Sequence, residues 1–73
     1  MKDTYGTTLK ENDIIIQIVD DDNLPKGSEW VVLGFGIEPS TQRKVCIMKD
    51  NTKGYIMSAY QSELKYFRKK VEN

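Results

Sequence analysis

The chain of 73 residues contains no histidine, the one side chain that titrates near neutrality without help from its surroundings. A histidine acid–base centre is therefore excluded. So is a zinc site of Cys and His ligands, because Cys46 is the only cysteine. A single cysteine also excludes an internal disulfide framework. No apolar run approaches the ~20 residues of a membrane span, and residues 1–9 lack the hydrophobic core of a signal peptide. The lone thiol and the missing leader point to a reducing, cytoplasmic setting. Charge of one sign is missing too. Eleven Lys and Arg balance eleven Asp and Glu, which removes the simplest argument for a nucleic-acid or acidic-membrane partner.

What is present suits one small domain over residues 1–73. A chain this short hides only ~60% of its unfolded surface, so one core supplies a margin of roughly 3–5 kcal/mol. A nearly closed sheet uses few apolar residues efficiently and leaves few bare edges.

The apolar residues come in short blocks separated by turn chemistry, the pattern of strands. Residues 13–19 (Asp-Ile-Ile-Ile-Gln-Ile-Val) form the first, with Ile14, Ile16 and Ile18 on one apolar face and Gln17 interrupting the other. Residues 20–28 read as a loop. The second strand, residues 29–37, places Val31, Leu33, Phe35 and Ile37 on one side. Trp30 and Val32 lie on the other, with Gly34 and Gly36 beyond them, a spacing that signals a bend or bulge. A turn at residues 38–42 leads to a third strand at 43–49. A hairpin loop at 50–54, with Gly54 free to take a positive φ, leads to a fourth at 54–58.

The C-terminus has two readings. Ser58 with Gln61 fits a capping box, and Tyr60, Leu64, Phe67 and Val71 recur at helical spacing, which gives a short helix. The favoured alternative is one 3-10 turn at 58–61 and a strand at 63–67, because a fifth strand closes the barrel. The expected fold is all-β, a small antiparallel barrel of about five strands. Residues 1–8 form an N-terminal arm and 68–73 a basic, disordered tail.

Three segments resemble SH3 domains. Gly54-Tyr55-Ile56-Met57-Ser58-Ala59-Tyr60 looks like their Gly-Tyr-Ile-Pro-Ser-Asn-Tyr segment, with Met57 and Ala59 in place of Pro and Asn. Leu9-Lys10-Glu11-Asn12-Asp13 resembles the stretch before their second strand, and Glu29-Trp30 falls where they carry a conspicuous Trp. The likeness spans roughly residues 9–60 and implies an SH3-like barrel. The Ala-Leu-Tyr-Asp-Tyr motif has no counterpart here, so half of the family's aromatic groove is absent.

Catalysis is not expected. Asp20, Asp21, Asp22 and Asp50 fall in loops, and a small barrel has room inside only for its own side chains. From Asp20, the positions that a calcium loop needs hold Leu24, Pro25 and Val31, so the pattern fails. Gly34-Phe35-Gly36 lacks the third glycine of a dinucleotide fingerprint, and no cofactor is expected.

The chain is instead expected to bind another macromolecule, foremost a protein. The surface for that is Trp30, Tyr55, Met57 and Tyr60, flanked by Asp20, Asp21 and Asp22, which would steer a basic partner. The alternative is nucleic-acid binding. Residues 1–30 hold three lysines against seven acids, whereas residues 31–73 hold eight basic residues against four acids. Arg43, Lys44, Lys65, Arg68, Lys69 and Lys70, interleaved with Tyr66 and Phe67, would grip phosphates and stack bases. A third reading is a homo-oligomer joined through an open strand edge.

Overall fold

β-Branched and aromatic residues pack well on a pleated surface, and the strands form where these residues cluster. A computed structural model describes residues 1–21 and 25–71. Its strands are β1 (Ile14–Gln17), β2 (Glu29–Ile37), β3 (Lys44–Asp50), β4 (Ile56–Tyr60) and β5 (Phe67–Lys69), with a 3-10 turn at Leu64–Tyr66 before β5. All pairings are antiparallel, in one sheet of order β4-β3-β2-β1-β5. The chain is all-β, as expected. The turn-and-strand ending is also found, shifted toward the C-terminus from residues 58–67. Ser58 lies in β4 and caps no helix.

Two strands present faces that simple alternation misassigns. In β1 the core takes Ile15 and Gln17, while Ile14 and Ile16 are half-buried on the other face. Ile15 lies opposite Trp30 and Gln17 opposite Phe67, and opposed residues share a face. Gln17 is tolerated there because its amide Nε2 donates to Val19 O at 2.8 Å. In β2 a bulge shifts the register between Val32 and Gly34: Val32 faces Met48, but Gly34 already faces Ile47. The extra residue reverses the phase. Phe35 therefore shares a face with Cys46 and not with Val31, although it stays 44% exposed and outside the core cluster.

The core is built from Ile15, Trp30, Val32, Met48, Leu64 and Phe67, with Leu9, Cys46 and Ala59 filling between them. Burial pushes the Cys46 thiol up to about 11, despite the opposing influence of the N-terminal ammonium. The Trp30 indole N–H is buried without a hydrogen-bond partner among the described residues.

Residues 1–8 are part of the body, not a loose arm. Thr4 N–H donates to Phe67 O at 2.9 Å, and Lys2 bridges to Thr8. The Asp3 carboxylate is buried and accepts N–H groups from Tyr5 and Thr7 on Oδ1 (both 2.9 Å) and from Lys69 on Oδ2 (2.7 Å). Burial alone would raise its pKa, but these backbone donors outweigh it and hold the carboxyl below its ordinary value. The tail is corrected in the same way. Arg68 and Lys69 belong to β5, and Lys70 N–H donates to Ile14 O. Glu72 and Asn73 lie outside the described residues.

Candidate binding cleft

β5 pairs with β1 and not with β4, so the sheet stays open between its first and last strands. A cleft of about 480 Å³ opens beside β4. Gln17 and Phe67, the last paired residues of β1 and β5, lie on one side with Val19, and Met57 of β4 lies on the other. Asp20 and Asp21, just past β1, and Glu63 and Tyr66, from the turn before β5, complete the lining. Three carboxylates thus share the lining with the apolar and aromatic side chains of Val19, Met57, Tyr66 and Phe67. Among the described residues the lining contains no Lys or Arg.

Local chemistry holds two of these carboxylates in place. Asp20 Oδ1 accepts Lys26 N–H at 2.9 Å within the β1–β2 loop. Glu63 Oε1 accepts Tyr60 N–H at 3.0 Å, and Glu63 N–H donates to Tyr60 O at 2.9 Å. The second pair of contacts fixes the turn that follows β4. Among the described residues no group of three or more His, Cys, Asp or Glu side chains is placed to hold a metal ion. The cleft carboxylates are therefore spread along a surface and do not converge on a point.

The residues singled out from the sequence separate into groups. Met57, Asp20 and Asp21 come together in the cleft; Asp22 lies outside the described residues. Trp30 is 1% exposed, filling the core, and offers nothing to a partner. Tyr55 is 63% exposed at the entry to β4 and does not line the cleft.

Tyr60 is engaged elsewhere. Its hydroxyl donates to Glu38 Oε2 at 2.5 Å, and the Arg43 guanidinium sits 3.8 Å over its ring. The bond to Glu38 raises the Tyr60 phenol above its ordinary value. The same bond, with help from Thr41, lowers the Glu38 carboxyl. With Ser40 and Thr41 hydroxyls donating to Glu38 Oε1, this cluster pins the β2–β3 turn.

The basic residues do not form one patch. Arg43 and Lys44 lie at the start of β3, which β2 and β1 separate from β5 in the sheet order. Lys69 pairs with Asp13 at 3.5 Å and Lys70 with Glu29 at 3.2 Å, while Lys65 lies over the Tyr66 ring at 5.1 Å. Sequence reasoning missed Glu63 as a cleft residue and placed Tyr66 with the basic tail. Glu63 follows Tyr60 by three residues, the spacing at which a side chain can cap the first N–H of a turn, and that signal was available.

In comparisons with known proteins, the chain matches no protein family, no curated protein and no solved structure. Among the described residues no helix is long and apolar enough to cross a membrane.

Proposed function

We propose that the chain is a non-catalytic binding module that docks a Lys- or Arg-bearing segment of another protein in the cleft beside β4. The observation that carries this reading is the lining itself: Asp20, Asp21 and Glu63 around Met57, Val19, Tyr66 and Phe67, with no basic residue among those described. A basic side chain has both an aliphatic stem and a charged head, so it matches a lining that mixes apolar side chains with carboxylates. Opposite charges about 4 Å apart near a surface attract by ~1–4 kcal/mol, and the attraction weakens with salt. The aromatic contribution falls to Tyr66, since Trp30 is core and Tyr60 is held by Glu38.

The nucleic-acid reading has less support, because two of its six cations are already paired with carboxylates and the six are not contiguous. The test is a titration of the isotope-labelled protein, followed by NMR, with acetyl-Lys-Val-Lys-Val-Lys-amide and with its Glu-for-Lys counterpart. The lysine peptide is expected to shift signals of Asp20, Asp21, Met57, Glu63 and Tyr66, and to bind more weakly as salt rises. Asp21→Lys, a reversal at an exposed residue, is expected to weaken it about tenfold. Equal binding of both peptides, or shifts confined to β5, would overturn the reading. So would tight, steeply salt-dependent binding of DNA or RNA.

A further inference from the structure

The two ends of the sheet are treated differently. An unpaired strand edge is a template for another strand, and folded proteins usually cover or charge it. At β5 the N-terminal segment does this: Thr4 N–H bonds Phe67 O, and Asp3 Oδ2 takes Lys69 N–H. β4 (Ile-Met-Ser-Ala-Tyr) pairs only with β3 and carries no Pro, no charged residue and no bulge.

The phase of β4 follows from one bond. Asp50 N–H donates to Tyr55 O at 2.7 Å, so in the same register Met48↔Met57 and Cys46↔Ala59 are the hydrogen-bonded pairs. Lys49↔Ile56 and Ile47↔Ser58 are then non-bonded pairs, and the N–H and C=O groups of Ile56 and Ser58 point away from β3. None of these four groups has a partner among the described residues. The edge stops at Tyr60, whose N–H and C=O are taken by Glu63 Oε1 and Glu63 N–H. What remains is a free edge two hydrogen-bonding residues long, alongside the acidic cleft.

We infer that the docked segment is an extended peptide that adds to the sheet as a sixth strand on β4, bonded to Ile56 and Ser58. This rests on the docking reading above and specifies its mode, in which the main chain supplies affinity and alternate side chains supply selectivity. Residues of the added strand opposite Met57 share its face and look into the cleft, toward Asp20, Asp21 and Glu63. Their neighbours lie on the outer face beside Ile56, which is 65% exposed. The matching ligand alternates basic residues with β-branched aliphatic ones. Charge argues against a second copy of this chain as the occupant: β4-to-β4 pairing would set two acidic clefts against each other.

The probe is again acetyl-Lys-Val-Lys-Val-Lys-amide, together with two forms N-methylated either on the valines or on the inner lysine. Strand addition uses alternate N–H groups, so one of the two methylated forms is expected to bind at least tenfold more weakly and the other about as well as the parent. Hydrogen exchange at the Ile56 and Ser58 amides is expected to slow on saturation. Ser58→Pro removes an outward N–H that β3 does not use; it is expected to keep the fold and lose the peptide.

If the lysine peptide shifts the cleft residues while both methylated forms bind like the parent and exchange is unchanged, strand addition is wrong and cleft docking stands. If the peptide does not bind at millimolar concentration, both fall. If Ile56 and Ser58 are protected in the free protein and sedimentation reports a dimer, a second copy holds the edge and the inference is overturned.

Discussion

Replacing Asp3 with Asn tests whether the N-terminal segment holds the sheet together. The native carboxylate accepts three backbone N–H bonds, two within its own turn and one from Lys69, 66 residues away. Asparagine has nearly the same shape but keeps one acceptor oxygen. With that oxygen serving Tyr5 and Thr7, its amide NH₂ meets Lys69 N–H, donor against donor. Hydrogen bonds to a charged group contribute about 1.5–3 kcal/mol each. Losing one outright and weakening two others gives a destabilisation of about 3 kcal/mol.

That is most of the ~3–5 kcal/mol expected for a core this size, so Asp3→Asn is expected to lower Tm by at least ~12 °C. The pH dependence follows from the lowered carboxyl. A group whose folded pKa is depressed stabilises fully above its unfolded value, near 3.8, and the gain is lost as pH falls through the lower folded value. Urea unfolding followed by circular dichroism should therefore show a larger loss of stability below about pH 4 in the native protein than in Asp3→Asn, which keeps only the contribution of carboxylates such as Glu38. A difference below ~0.5 kcal/mol between the two proteins at neutral pH would refute the reasoning.

Trp30→Ala should cost about 3–5 kcal/mol and leave little folded protein, whereas Trp30→Phe should cost less than the lost area suggests, because it also removes an unpartnered N–H. A folded, stable Trp30→Ala in urea titration would contradict the placement of Trp30 in the core. Cys46, its thiol at about 11, should resist a disulfide reagent at mildly alkaline pH until urea unfolds the chain; rapid labelling of the native protein would contradict its burial. The Tyr60 phenol should titrate above 10.0 by absorbance, and Glu38→Gln should bring the midpoint back toward that value. An unchanged midpoint would mean that the bond to Glu38 does not persist in solution.

The strands were legible because Ile, Val and aromatic residues cluster between Gly, Pro and Asp, but which side faced inward was not. Ile14, Ile16 and Ile18 look like the core face of β1 because Gln17 breaks the other. Tertiary pairing overrides that, since Ile15 and Gln17 stand opposite Trp30 and Phe67. In β2 the glycines signalled a bulge, but not that it would reverse the face of Phe35. The start of β4 slipped by two residues because Gly54 and Tyr55 still belong to the hairpin turn: Gly54 has φ +80° and Tyr55 O accepts Asp50 N–H. The docking of the N-terminal segment was invisible, since a bond from Asp3 to Lys69 leaves no local pattern. Three of the eight cleft residues were legible: Met57, Asp20 and Asp21. The SH3 resemblance drew Trp30 to the surface, and a core this small could not spare it.

Burying Trp30 has a consequence for where binding can occur. With the largest side chain inside, among the core residues, binding falls to the gap where the sheet fails to close. That gap exists because β5 pairs with β1 and the N-terminal segment then covers β5, which leaves no strand for β4. The same residues that stabilise one end of the sheet thus leave the other free. Asp3 stabilises the covered end and lies away from the cleft lining. A change there alters how much protein is folded, whereas a change at Asp21 alters what the folded protein holds. Stability and recognition can therefore be varied separately, through Asp3 bonded to β5 and Asp21 in the cleft lining.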